Sequence, residues 1–213
     1  MKKRIFALCL CFLLLLSIPA QADSSRFFRR SRYGSLISYE NAQYDYALGV
    51  YGNFLMLTDT YTEALLANLR EGLTEEDDEI YDLRIWYSPD YRYQFEVQVK
   101  EPTYDSFETE IAKAPEYLDL VKDGYAPESE VRQLHPGVMR ETPAGTMLET
   151  ALEYKQFSQD GASQRVTFVY YDIYLDDVEY CFSLYAFDGS YEAAQGMLDE
   201  IAQTIIFHPA MQI

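Results

Sequence analysis

The chain has 213 residues, 48% of them hydrophobic and 15% aromatic, a composition that excludes both a disordered chain and a small scaffold held together by disulfides. With 35 acidic against 17 basic residues it carries a formal net charge of −18, so nucleic acid is excluded as a natural partner. That length fits one sizeable domain with its own core.

The chain begins with Met1-Lys2-Lys3-Arg4, continues through an apolar run from Ile5 to Leu16, and reaches Pro19-Ala20-Gln21-Ala22 before Asp23. A positive start, an apolar centre and a small-x-small end describe a secretory signal peptide over residues 1–22, cleaved near Ala22-Asp23. An apolar run of about twelve residues falls short of the roughly twenty a spanning helix needs. No later stretch comes near that length, so the mature chain is expected to lack an integral membrane segment and to reside outside the cytoplasm, secreted or in the cell envelope. Cys9 and Cys11 lie inside the apolar run, whereas a lipid-modified cysteine follows it. Cleavage removes three of the 17 basic residues and none of the 35 acidic ones, leaving a net charge of −21. Only Cys181 survives it, which rules out an internal disulfide. Melting curves with and without reductant or chelator are therefore expected to coincide, and a downward shift of many degrees with either would reveal a stabilising link.

Arg26-Phe27-Phe28-Arg29-Arg30-Ser31-Arg32 gives the segment 23–34 the look of a basic N-terminal arm ahead of a single domain over residues 35–213. The arm either simply follows the leader or touches an anionic wall polymer or lipid headgroups. Removing residues 23–33 is expected to leave stability nearly unchanged.

Two short strands, Tyr46 to Val50 and Asn53 to Leu57, are separated by glycine, and a helix follows over about residues 61–71, with Leu65, Leu66 and Leu69 on one stripe and Gly72 at its end. After the acidic run Glu75 to Glu79, the segments 81–87 and 91–100 read as a hairpin around Ser88-Pro89-Asp90. Residues 105–121 read as two short helices or one helix kinked at Pro115, and residues 124–137 as a connection or a shallow wall over the sheet. Three long segments, 146–157, 165–175 and 178–187, separated by Gln159-Asp160-Gly161 and Asp176-Asp177, form an antiparallel meander. In the last of them Val178, Tyr180, Phe182, Leu184 and Ala186 alternate with more polar residues, so one face is apolar. A helix capped by Ser190 and presenting Ala194, Met197, Leu198 and Ile201 should cover that face, with Ile205-Ile206-Phe207 as a short edge strand or apolar tail. The fold class is α+β, an antiparallel sheet flanked by helices.

This C-terminal order of three long strands, a glycine turn, an amphipathic helix and Thr204-Ile205-Ile206-Phe207 resembles the PsbP-like and Mog-like superfamily, including secreted DcrB-like proteins, over roughly residues 145–207. The pattern Tyr180-x-Phe182-x-Leu184 to Ser190 and Ile205-x-Phe207 carries the likeness. The resemblance implies a binding or assembly role without catalysis and brings no functional residues with it.

His135 and His208 each precede a proline, and together with Cys181 they are the only soft ligands of the mature chain, so neither a metal site nor a cofactor is expected. Cys181, midway along a strand, reads as a small buried hydrophobe and not as half of a Cys-His dyad. No serine elbow, phosphate loop or His-Glu-x-x-His helix is present. Glu149 and Glu153 share a strand face but lie about 13 Å apart, too far for either glycosidase geometry. The acidic run at 75–79 lacks the alternation and glycine of a calcium loop.

Asp172 interrupts an otherwise apolar strand, with Tyr170 and Tyr174 beside it on the same face. Were that face open, the three would form a ligand-binding stripe for a sugar or peptide, and Asp172→Ala would weaken capture while sparing the fold. Were it buried, the same substitution would act on stability. The function expected is a non-catalytic binding or assembly module at the cell surface, with an extracellular protein or an envelope polymer as partner. The alternative is a carboxylate-dependent hydrolase of envelope carbohydrate or peptide.

Overall fold

A computed structural model describes residues 32–72, 79–158 and 161–208. The expected signal peptide, the expected arm as far as Ser31, most of the acidic run at 75–79 and Gln159-Asp160 lie outside the described residues. Among the described residues, strands and helices follow in the order β1 (Leu36–Asn41), β2 (Tyr46–Tyr51), β3 (Leu55–Met56), α1 (Asp59–Gly72), β4 (Ile80–Tyr87) and β5 (Tyr93–Lys100). Then come α2 (Phe107–Gly124), a 3-10 turn at Pro127–Ser129, β6 (Arg132–Thr142), β7 (Gly145–Phe157), β8 (Ser163–Leu175), β9 (Val178–Ala186), α3 (Tyr191–Ala202) and β10 (Ile206–Phe207). The fold is α+β with antiparallel sheets, as the sequence indicates.

Seven strands form one sheet in the order β3-β4-β5-β9-β8-β7-β6, and β1-β2-β10 form a second. The meander β6-β7-β8-β9 closes against β5, so the chain leaving β5 has to cross β9, β8 and β7 to begin β6 at the far edge. That crossing is α2. At the β8-β9 turn Asp176 and Asp177 both have positive φ, 49° and 63°, the two-residue geometry that matches the twist of a hairpin.

Period-two alternation gives the large sheet two different faces. On the first, Phe95, Val97, Val169, Tyr171, Phe182 and Leu184 join Met197, Leu198 and Ile201 of α3 and Tyr46, Leu48 and Val50 of β2 in one core. Ser190 caps α3 by accepting from Ala193 N, so the expected helix covers the expected apolar face. On the second face, α1 lays Leu65 and Leu66 on Leu83, Ile85 and Tyr87 of β4. Here α2 brings Val121, Tyr117 and Leu118 to Leu152, Phe168, Tyr170 and Tyr185.

The structure departs from the sequence reading in two places, at β1 and at residues 124–137. β1 was not anticipated, and it pairs with β2 in a separate sheet, where β10 also joins. The segment 124–137 is not wholly a connection, because β6 starts at Arg132 and runs through His135-Pro136-Gly137. Register shifts at Gln133/His135 and His135/Val138 absorb the proline on an edge strand, where its missing N–H has no ladder to break. Of the two readings for residues 105–121, the structure has the single helix, with Pro115 inside it. Tyr33, placed in the arm by the sequence reading, is only 3% exposed and sits in the core beside Tyr51, Phe54 and Tyr93. Removing residues 23–33 would take that side chain away.

Candidate functional site

Tyr170, Asp172 and Tyr174 do share one face of β8, but that face is not an open platform. α2 lies over it, Tyr170 and Asp172 are buried, and Tyr174 is half-buried with Phe107 of α2 packed 5.1 Å from its ring. The Tyr174 hydroxyl donates to Glu110 Oε2 on α2 at 2.7 Å. Register sets Asp172 opposite Cys181 of β9 on one side and Leu148 of β7 on the other. Asp172 is 2% exposed, and its Oδ1 is buried with no hydrogen-bond partner. Burial pushes its carboxyl well above the usual range, aided by the negative charges of Glu110 and Glu179 and opposed by Lys100. The donors whose loss would make its substitution costly are therefore missing on Oδ1, and in this structure the face holding Tyr170, Asp172 and Tyr174 is covered by α2. Cys181 is a free, buried thiol, as the sequence indicates, and burial raises its pKa.

The opposite face holds a polar centre that the sequence reading did not assemble. Glu149 occupies an apolar row of β7, between Met147 and Ala151, and is completely buried. Its oxygens accept from Arg140 Nε at 2.5 Å, from the Tyr191 hydroxyl at 2.8 Å and from Gln195 Nε2 at 3.0 and 3.1 Å. His135 Nε2 stands 2.9 Å from Glu149 Oε1 and 3.0 Å from the Tyr191 oxygen. Tyr191 has one proton and gives it to Glu149, so the hydrogen in the His135 contact comes from Nε2. The Tyr171 hydroxyl lies 3.4 Å from Glu149 and donates to Asp199. Burial alone would raise the Glu149 pKa, but hydrogen bonds from Arg140, Tyr191 and Gln195 outweigh it and hold the carboxyl below the usual range.

Three other buried carboxylates, Glu153, Glu96 and Asp82, are likewise held by donors. Glu153 Oε1 takes Arg132 Nε at 2.8 Å and a guanidinium nitrogen of Arg165. Glu96 is held by the side-chain amides of Gln94, at 3.0 Å, and Gln98. Asp82 receives Asn41 Nδ2 at 2.8 Å and Arg84 Nε at 3.1 Å, tying the small sheet to β4. Glu149 and Glu153, weighed in the sequence as an acid pair, belong to two separate networks. Among the described residues no group of three or more His, Cys, Asp or Glu side chains is placed to hold a metal ion, and no helix is long and apolar enough to cross a membrane.

No protein-family model matches the chain, nor does any curated protein sequence. Among solved structures it is similar to cyanobacterial PsbP (CyanoP) from Synechocystis sp. PCC 6803, with a TM-score of 0.51 at 10% identity over 92% of this chain and 99% of that one. The Saccharomyces cerevisiae Ran-binding protein Mog1p aligns with a TM-score of 0.47 at 13% identity, over 81% of this chain and 95% of its own. The CyanoP alignment extends beyond the C-terminal third and shows a PsbP-like fold for nearly the whole chain.

Proposed function

We propose that this chain is a non-catalytic binding or assembly protein on a PsbP-like fold, secreted and acting at the cell surface or in the envelope, in the manner of DcrB-like proteins. The observation that carries the reading is the state of Glu149. Among the described carboxylates, it has the neighbours most like those of a catalytic centre, a histidine and a tyrosine within about 3 Å of one another. Yet its two oxygens accept from Arg140, Tyr191 and Gln195, with His135 also in contact, so the group serves as a tie between β6, β7 and α3. A general acid or base needs a pKa near working pH and a free approach to substrate. Glu149 has its pKa held low and its surroundings filled. The leader-like sequence of residues 1–22 supports the compartment, and the net negative charge favours a protein or a neutral or cationic envelope component as partner over nucleic acid.

Incubation with envelope saccharide and peptide fragments tests the reading. Fragments are expected to be retained, or ignored, without any cleavage. Turnover that disappears in a folded Glu149→Gln variant would overturn it and install the hydrolase alternative.

A further inference from the structure

Arg132 and Arg140 of β6, Lys155 of β7 and Arg165 of β8 come to the same face of three adjoining strands. Arg132 stands directly across from Glu153 and Arg165 across from Lys155, and period two puts both pairs in the row of Met147, Glu149 and Ala151. The carboxylates of that row lie beneath the cations. Glu149 and Glu153 have side chains at most 10% exposed, whereas those of the four cations are between 32% and 60% exposed, so the layer that meets solvent is cationic. Lys155 is paired with Glu130, which is itself exposed. Four cations against Glu130, Glu149 and Glu153 leave a local excess of one positive charge on a chain of net charge −18. Arg140 gives Nε to Glu149 and Arg165 gives Nη1 to Glu153, which leaves most of the N–H groups of each guanidinium for a second acceptor.

β6 is also the last strand of the large sheet and, among the described residues, pairs with β7 alone. Both of its register shifts come before Val138. From Val138 to Thr142 the pairing is regular, so the outer side of these five residues presents a row of backbone N–H and C=O groups that no strand has taken up. Val138, opposite Glu149, is 37% exposed on the cationic face, and Met139, opposite Leu148, is 45% exposed on the other. Arg140 follows on the cationic face. The other edges do not match this combination. β3 and β10 are two residues long, and β1 carries the acid Glu40 and no lysine or arginine.

We propose that residues 138–142 of β6 are a docking edge for an extended segment of a protein partner, which adds to the sheet as a further strand with a carboxylate opposite Arg140 and apolar side chains beside Val138 and Met139. This partner class rests on the binding role proposed above. Backbone pairing supplies the affinity in such a mode, and alternate side chains supply the selection. A residue directly across an antiparallel ladder shares its partner's face, with Cβ atoms about 4.5 to 5.5 Å apart, so a glutamate opposite Arg140 reaches the guanidinium N–H groups that Glu149 leaves free. An excess of one charge suits one or two carboxylates and is too small to hold a polyphosphate backbone. An anionic sugar polymer would meet the same cations, but it has no amides for the edge and no contact for Met139 on the far face.

The probe is the end-blocked peptide Thr-Val-Glu-Val-Thr between Gly-Ser tails, whose symmetry serves either strand direction, with fluorescein on one tail. Fluorescence anisotropy is expected to show binding to the mature chain with a Kd below about 1 mM, and hydrogen exchange is expected to slow at amides within residues 138–142. Replacing the peptide's glutamate with lysine should weaken binding by about tenfold or more. Met139→Glu, at an exposed position, should do the same, and Val138→Glu replaces it should that variant not fold. Successive amides of a strand point to opposite sides, so N-methylating the two valines and N-methylating the glutamate should differ: one abolishes binding and the other leaves it within about threefold. No binding up to about 1 mM, equal binding of the glutamate and lysine peptides, equal loss from both methylations, or slowed exchange only outside residues 138–142 would overturn the docking edge. Cleavage of the peptide is a separate result and would overturn the non-catalytic role on which the edge rests.

Discussion

Replacing Tyr33 with alanine should destabilise the protein by about 3 to 5 kcal/mol, the usual cost of emptying a large aromatic site in a core. In a domain of this size that is a fall in Tm of roughly 10 °C. The side chain sits at the edge of three aromatic rings, with centroids 6.4 Å from Tyr51, 5.7 Å from Phe54 and 5.7 Å from Tyr93. Its hydroxyl donates to Asp90 Oδ2 at 3.0 Å. Asp90 is itself fixed by Ser88 Oγ at 2.7 Å, the Arg92 amide and Arg32, and burial, which would raise its pKa, is outweighed by these bonds so that it stays ionised. Tyr33 thus pins the segment just before β1 to the β4-β5 turn. Two truncations separate this seat from the residues before it. A chain beginning at Arg30 should melt with the full mature chain, and one beginning at Ser35 should show the loss given for Tyr33→Ala. Equal melting of the two truncations would mean that the tyrosine contributes nothing. Tyr33→Phe, which keeps the rings and loses only a bond to a charged acceptor, should cost about 1 to 3 kcal/mol.

What could be read from residues divides along the reach of each signal. The meander, its Asp176-Asp177 turn and the Ser190-capped helix are local patterns, and each lies where alternation and capping put it. β6 was hidden because His135-Pro136-Gly137 carries the chemistry of a breaker, and only the topology reveals that it forms an edge, where a proline and two register shifts are tolerated. Period two correctly groups Tyr170, Asp172 and Tyr174. What covers them depends on β5 and β6 lying on opposite sides of the meander, which forces α2 across this face. No local pattern encodes that. Glu149 carried the same signal as Asp172, a carboxylate in an apolar strand row, but its partners come from β6 and α3, up to 46 residues away in sequence. The two carboxylates differ in what the fold supplies: donors for Glu149, and another acid for Asp172.

That difference predicts opposite pH behaviour, and Glu149 gives the larger effect on stability. Glu149→Ala strips a partner from Tyr191, Gln195 and His135 and frees the Arg140 guanidinium, which at 38% exposure can turn to water, so it should cost about 3 to 5 kcal/mol at pH 7, the sum of several part-buried donors left unpaired at about 1 to 3 kcal/mol each. Glu149→Gln preserves the shape and some of the bonding and should cost about 1 to 3 kcal/mol. The folded pKa of Glu149 lies below the ordinary value because its donors outweigh burial. Its contribution is therefore complete above the unfolded carboxylate pKa of about 4.3 and disappears as pH falls through the lower folded value. Urea melts of wild type and Glu149→Gln should accordingly be farthest apart at neutral pH and converge in acid below about pH 4. A gap that stays constant to pH 2 would show that the carboxylate's charge is idle and that only its shape supports α3. By contrast, the Asp172→Asn gap should move the other way, with the variant gaining on the wild type as pH rises, because there the folded state holds the proton more tightly than the unfolded chain does. Parallel pH profiles for the two variants would contradict the assignment of one carboxylate as a donor-filled tie and the other as a buried acid whose Oδ1 has no donor.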